Sequence, residues 1–117
     1  MLTPEQFWPS LNSLAGLELK TLDQGRPFEV LAVEDEQVVL SPVVNGKRRI
    51  IRRSILEQTF SALWERRELT GVEIAREFSA FNAVYVAALL AALPDVAACT
   101  RPIRLILVGR QLFYLDQ

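Results

Sequence analysis

The chain has 117 residues, of which 50% are hydrophobic and 23% are charged. This length fits one domain, and the composition argues against a disordered protein. The 13 basic and 14 acidic residues give a net charge of −1, so the total charge does not favour nucleic acid or an anionic membrane as a partner. Any electrostatic binding must therefore come from a local cluster of charges.

Missing residue types narrow the chemistry. The chain has no His, so it lacks the commonest general base and metal ligand. Its single cysteine, Cys99, cannot form an internal disulfide, and the sequence shows neither zinc-ligand spacing nor a glycine-rich phosphate loop. We therefore expect a non-enzymatic protein with no metal and no cofactor. We interpret Cys99 as a small buried apolar residue.

The sequence carries no signal for a membrane. The N-terminus lacks the basic start of a signal peptide. The uncharged stretch at residues 79–94 is shorter than the roughly 20 apolar residues that a membrane span needs. We expect a cytoplasmic protein without membrane contact.

The N-terminal segment has the signals of a short helix. Thr3 is suited to cap it, Pro4 to its first turn, and Gln6 to the position of a capping-box partner. Pro9 lies inside the segment and predicts a kink or a restart. Gly16 is the expected end of the helix.

Residues 17–53 change to a strand-like pattern. The candidate strands are 17–22, 28–33, 37–44 and 47–52. Asn45-Gly46 is the strongest signal for a two-residue hairpin turn in the chain. Pro42 argues for an edge position or a bulge in the third strand. The segment therefore predicts a four-stranded antiparallel meander with short connections.

The fourth strand carries an unusual cluster, with five cations in seven consecutive positions: Lys47, Arg48, Arg49, Arg52 and Arg53. In a strand, alternate side chains face opposite ways, so Arg48 and Arg52 share one face while Arg49 shares the other with Ile51. The cluster favours contact with the phosphate backbone of DNA or RNA. The alternative is a solvated edge strand whose cations pair with the acidic residues 34–36.

Residues after Arg53 have a helical pattern. Ser54 is suited to cap a first helix, and Thr70 with Glu73 forms the capping box of a short second helix. A third helix is predicted over residues 82–93. Strands at 103–108 and 111–115, joined by a turn at Gly109-Arg110, predict a C-terminal β-hairpin.

The predicted elements after Arg53 follow the order helix, short helix, turn, helix and hairpin, and the segment Leu69-Thr70-x-x-Glu73-Ile74-Ala75 lies at the start of the short helix. This order and this segment resemble the winged helix-turn-helix family. The resemblance covers residues 54–115. It implies a DNA-binding scaffold whose third helix enters the major groove and whose wing contacts the backbone. On the third helix it points to Asn82 and Tyr85, and on the wing it points to Arg101, Arg104 and Arg110.

The third helix also supports a different reading, because residues 82–93 include no charged side chain. A helix that is apolar all round is typical of burial, for example in a protein interface. Two functions therefore stay open. One is a nucleic-acid-associated module that binds phosphate through the basic hairpin. The other is a protein-interaction or dimerisation module that binds a second copy or another protein through the 82–93 helix. In both cases the expected fold is a single compact α+β domain with subunits 1–53 and 54–117.

Overall fold

The computed structural model describes residues 2–108 and has the predicted mixed α+β fold. Within this range, helices and strands follow one another in the order α1 (Pro4–Asn12), β1 (Glu18–Lys20), β2 (Pro27–Val33), β3 (Gln37–Pro42), β4 (Arg49–Arg52), α2 (Arg53–Arg66), β5 (Glu68–Thr70), α3 (Gly71–Glu77), α4 (Ala83–Ala91), β6 (Val96–Thr100) and β7 (Ile103–Leu107). None of the described helices is long and apolar enough to cross a membrane.

Helix α1 begins as predicted, with Pro4 in its first turn and the Gln6 side chain accepting a hydrogen bond from the Thr3 N–H at 3.3 Å. The helix continues through Pro9 without a restart. It ends at Asn12, and Gly16 lies further on at a positive φ of 86°. The turn after α1 therefore uses the conformational freedom of glycine to lead into the first strand.

The first sheet is an antiparallel meander with the strand order β1-β2-β3-β4, as predicted. One face of this sheet is fully buried and includes Phe28, Val30, Val38, Leu40 and Ile51. The pattern of burial along β4 confirms the predicted alternation, because Ile51 is buried whereas Ile50 and Arg52 are exposed.

The loop between β3 and β4 is longer than the predicted two-residue turn. The ladder between these strands stops at the pair Leu40–Arg49, and Pro42 pairs with Phe28 of β2 instead. Proline has no N–H with which to extend the ladder. Residues 43–48 therefore form a loop, closed by a 2.9 Å hydrogen bond from the Gly46 N–H to the Pro42 carbonyl.

Strand β4 passes directly into helix α2, which begins at Arg53. Arg52 occupies the capping position without a capping side-chain hydrogen bond, and the predicted cap Ser54 lies inside the first turn. The Arg53 N–H instead donates to the Glu36 carbonyl at 2.8 Å. Backbone contact with the β2–β3 turn thus satisfies one N–H at the start of the helix.

The second sheet has the strand order β5-β7-β6 and packs against the helices α3 and α4. The capping box of α3 is as predicted, since the Glu73 N–H donates to the Thr70 hydroxyl at 3.1 Å and the Thr70 N–H donates to Glu73 Oε1 at 2.9 Å. Gly71 packs closely against Ile103, because a Cβ atom added to Gly71 would lie only 3.0 Å from the Cβ atom of Ile103.

The hairpin of this sheet differs from the predicted one. The strand expected at 103–108 is present as β7, but it pairs with β6, which was not predicted, through a turn at Arg101-Pro102. The predicted turn at Gly109-Arg110 and the strand 111–115 lie outside the described residues. The prediction of a buried Cys99 is wrong, because β6 is at the edge of the sheet and its residues 97–100 are exposed.

One cluster of buried side chains connects both sheets and α1, α2 and α4. The ring of Phe7 in α1 stacks on Phe60 of α2 with 4.6 Å between centroids. Phe28 of β2 meets Tyr85 of α4 edge to face at 5.2 Å. The segments 1–53 and 54–108 therefore share a core, and α4 contributes Val86–Leu90 to it.

Candidate nucleic-acid interface

The five clustered cations divide into two groups in the structure. Arg49 and Arg53 are partly buried and contact other parts of the chain, whereas Lys47, Arg48 and Arg52 are exposed. Two features of the backbone cause this division. The alternation of β4 sends Arg49 inward and Arg52 outward, and the 43–48 loop places Lys47 and Arg48 beyond the end of the sheet ladder.

Arg49 joins the meander to the start of α4. Its Nη1 donates a hydrogen bond to Asn82 Oδ1 at 3.2 Å. Its guanidinium also lies 4.8 Å from the centroid of the Phe81 ring and 5.0 Å from that of Tyr85. A guanidinium over an aromatic face is attracted by the quadrupole of the ring. Of the predicted site residues, the structure thus brings together Arg49, Asn82 and Tyr85.

Arg53 has a structural position. Its guanidinium lies 4.7 Å from the Trp8 ring centroid, its Nη1 donates to the Asp35 carbonyl at 3.0 Å, and its Nε is 3.2 Å from a Glu57 carboxylate oxygen. Among the described residues, the predicted pairing with the acidic side chains of residues 34–36 is not seen: Arg53 donates to a backbone carbonyl of that turn and makes its ion pair with Glu57 within α2. These contacts leave Arg53 little freedom to bind a ligand.

Lys47, Arg48 and Arg52, which we call the basic edge, form no ion pair or side-chain hydrogen bond within residues 2–108. Strand β4 is the last strand of its sheet, so Arg52 lies on an unpaired side of the described meander, and Lys47 and Arg48 lie in the loop directly before it. Ile50, on the outer face of β4 with Arg52, is 54% exposed. This surface combines free positive charge with accessible apolar area.

The two predicted base-contacting residues of the third helix are engaged inside the protein. Asn82 precedes α4 and its Oδ1 accepts the hydrogen bond from Arg49, while Tyr85 is held between Arg49 and Phe28. The following residues 86–90 are buried. The apolar helix is therefore mainly a core helix, and it offers little surface for a base edge or for a partner.

The predicted wing arginines have different environments. Arg104 lies on β7, with its Nε 2.9 Å from Glu68 Oε1, and both side chains are about half exposed. Arg101 is exposed in the β6–β7 turn. Arg110 lies outside the described residues. Because Glu68 offsets the charge of Arg104, this side chain is a weaker candidate for phosphate binding than the basic edge.

Phe81 is a candidate that the sequence interpretation missed. It lies in the turn before α4 and is 79% exposed, although its ring contacts the Arg49 guanidinium. The segment Ser79–Asn82 gives only a turn signal. The exposure of the ring depends on how the meander meets the helices, which a local pattern does not contain.

A second surface is an apolar groove of about 600 Å³ between α3, α4 and the β6–β7 turn. It is lined mainly by apolar and small side chains, including Val72, Ala83, Val84 and Ile103, and Asp23 is the charged residue among those lining it. Val72 is 61% exposed. The part of α4 that remains accessible therefore opens onto this groove.

Comparisons of the chain with protein-family models, with curated proteins and with solved structures found no match. In the part of the chain that the structure describes, no group of three or more His, Cys, Asp or Glu side chains could hold a metal ion. The exposed cations, Phe81 and the groove are therefore the features from which a function can be inferred.

Proposed function

We propose that this chain is a non-enzymatic module that binds nucleic acid by its phosphate backbone through the basic edge. The supporting observation is the set of exposed side chains of Lys47, Arg48 and Arg52, which have no ion pair among the described residues and lie at β4 or directly before it. Internal contacts use the charges of Arg49 and Arg53, so these two do not count toward binding. The remaining positive charges are placed to bind external anions, and phosphates in a row are a suitable ligand.

Such contacts position a nucleic acid without reading its sequence. The order of α2, α3, α4 and the β6–β7 hairpin supports the resemblance to a winged helix, as does the β5-β7-β6 sheet. The buried state of α4 and the internal contacts of Asn82 and Tyr85 favour binding without base recognition in the major groove. The proposed activity is therefore sequence-independent binding at the meander.

The test is fluorescence anisotropy with labelled duplex DNA, single-stranded DNA and RNA over a series of salt concentrations. Three phosphate contacts predict a slope of log K against log salt of about −2.7 for a duplex and about −2.1 for a single strand. The double variant Arg48→Glu/Arg52→Glu should weaken binding and reduce the magnitude of the slope by about 2.

A matched control exists on the opposite edge of the same sheet. Lys20 is exposed at the end of β1, the first strand of the meander, and Arg26 is exposed in the β1–β2 loop directly before β2. The variant Lys20→Glu/Arg26→Glu changes the net charge by the same amount and should keep nearly the wild-type affinity. Equal losses in the two double variants would mean that total charge alone drives binding. Absence of binding at low salt would overturn the proposed function.

A second candidate function is self-association, and the observation that favours it is the apolar groove with the exposed Val72 in its lining. A symmetric pair of copies could bury Val72 of each copy in the groove of the other. Sedimentation equilibrium over a range of protein concentrations tests this, and Val72→Asp should return a dimer to the monomer. A monomer at every concentration would exclude this candidate.

A further inference from the structure

Phe81 has an exposure that its residue type does not ordinarily favour in a folded chain. Phe7, Phe28 and Phe60 are each at most 1% exposed, whereas Phe81 is 79% exposed. A single exposed apolar side chain needs no explanation by itself. The contact with Arg49 is the second observation, because it gives the ring a defined place next to the clustered cations.

Arg49 acts as a fixed support for this ring. Its guanidinium lies over Phe81 at 4.8 Å and is itself held by the hydrogen bond to Asn82 and by the Tyr85 ring. A ring with a held neighbour loses less freedom when a ligand binds to its open surface. The aromatic surface is therefore available and partly ordered before any ligand arrives.

Two cations of the basic edge lie close to this support along the chain. Arg48 and Lys47 directly precede Arg49. The Cα atom of Arg48 is therefore about 4 Å from the Arg49 Cα, and the Cα atom of Lys47 is at most about 7 Å from it. Their side chains are exposed. An aromatic surface beside free cations is the combination with which proteins bind single-stranded nucleic acid, because bases stack on the ring while phosphates meet the charges.

Building on the proposed function, we propose that Phe81 is a stacking surface for an unpaired base and that the basic edge prefers single-stranded nucleic acid over duplex. In a duplex, each base is stacked between its neighbours and must leave the helix to reach a protein side chain. A flexible single strand can present a base to Phe81 while its phosphates contact Lys47 and Arg48. The preference for a single strand comes from base stacking on the Phe81 ring, and the salt dependence of binding comes from the cations of the basic edge.

The test compares wild type with Phe81→Ala in anisotropy titrations against a labelled single-stranded oligonucleotide and the duplex of the same sequence. Loss of one base stack should weaken single-strand binding by about 5- to 150-fold and leave duplex binding nearly unchanged. The salt slope should stay the same, because no phosphate contact is removed. Phe81→Tyr should keep the single-strand affinity, since it preserves an aromatic face.

Leu17→Ala is the matched control, since Leu17 is an exposed apolar residue just before β1, at the opposite edge of the meander from β4. It should not change either affinity, and thermal unfolding of all variants checks that they remain folded. Equal losses of single-strand and duplex affinity in Phe81→Ala would overturn the inference. So would an unchanged single-strand affinity, even if Arg48→Glu/Arg52→Glu abolished binding and thereby upheld the proposed function. If wild type bound neither form at low salt, both proposals would fail.

Discussion

The guanidinium of Arg53, the first residue of α2, lies 4.7 Å from the centroid of the Trp8 ring in α1. Trp8 is only 6% exposed. The last cation of the basic cluster is thus part of the contact between two helices, while its neighbour Arg52 is exposed. Adjacent arginines in the sequence consequently have different roles, and these roles can be separated by mutation.

We expect Arg53→Ala to lower the free energy of unfolding by about 1–2 kcal/mol, through loss of the cation–π contact with Trp8 and the hydrogen bond to Asp35. Arg52→Ala should change it by less than about 0.5 kcal/mol, because Arg52 is exposed. Urea unfolding followed by tryptophan fluorescence measures both. A similar loss in the two variants would show that Arg53 does not hold α1.

Arg49 and Asn82 should be energetically coupled across the two halves of the chain. Their side chains are joined by a 3.2 Å hydrogen bond between positions 33 residues apart. A double-mutant cycle with Arg49→Ala and Asn82→Ala should give a coupling energy of about 1 kcal/mol in the free energy of unfolding. Additive effects of the two substitutions would mean that the bond does not stabilise the junction.

Phe60→Ala should be the most damaging of the substitutions considered. The ring is 1% exposed and stacks on Phe7, so its removal should cost about 3–5 kcal/mol.

Because the buried cluster includes both sheets, we expect unfolding to remain one transition. Coincident denaturation curves from tryptophan fluorescence and far-ultraviolet circular dichroism would support a single domain. Two separate transitions would indicate that the 1–53 and 54–117 subunits unfold independently.

The capping box of α3 gives a local prediction. Thr70→Ala removes the hydroxyl that accepts the Glu73 N–H, and it should cost about 1 kcal/mol in stability. Thr70→Ser keeps this oxygen and should cost much less. Thermal unfolding of the two variants provides the comparison. Equal destabilisation would assign the effect to the lost methyl group, because both variants lack it.

The pair formed by Arg66 and Glu77 predicts a dependence of stability on pH. Two hydrogen bonds from the Arg66 guanidinium, at 3.0 and 2.8 Å, hold the pKa of Glu77 below its ordinary value of 4.5. The carboxylate therefore contributes to stability above pH 4.5, and this contribution is lost as the pH falls through the lower pKa of the folded state.

The corresponding variant is Glu77→Gln, which should be slightly less stable than wild type at neutral pH and should approach wild-type stability in acid. The effect should be small, because both side chains are accessible to solvent. Glu29→Gln, at an exposed carboxylate with no ion pair among the described residues, serves as the control. A constant difference between Glu77→Gln and wild type at all pH values would contradict this account.

Regular local patterns in the sequence were sufficient for much of the fold. The period of two along β4 correctly separated Arg49 from Arg52, and the spacing of Thr70 and Glu73 correctly located the start of α3. Both features are fixed by backbone geometry within a few residues. Strand β6 was missed because its two central alanines have low strand propensity, and pairing with β7 provides its stability.

The candidate binding surface was less accessible to prediction, because it depends on contacts between distant residues. Arg49 and Arg53 are engaged by Asn82, Phe81 and Trp8, none of which is near residues 47–53 in sequence. The predicted length of the loop between β3 and β4 was also wrong, because Pro42 ends the pairing of β3 with β4 early. Charge counting therefore predicted five binding cations, two of which, Arg49 and Arg53, have contacts within the described part of the chain.

The direct passage of β4 into α2 leaves no hinge between the meander and the helices. Arg52 stands at this joint, with the sheet ladder on one side and the first helical turn on the other. A force that a bound ligand exerts on Arg52 would act on the backbone of both elements at once, so the sheet and the helix would both resist it. An insertion of flexible residues at this joint would instead separate the two elements, and tolerance to such insertions should be lower here than in the 43–48 loop.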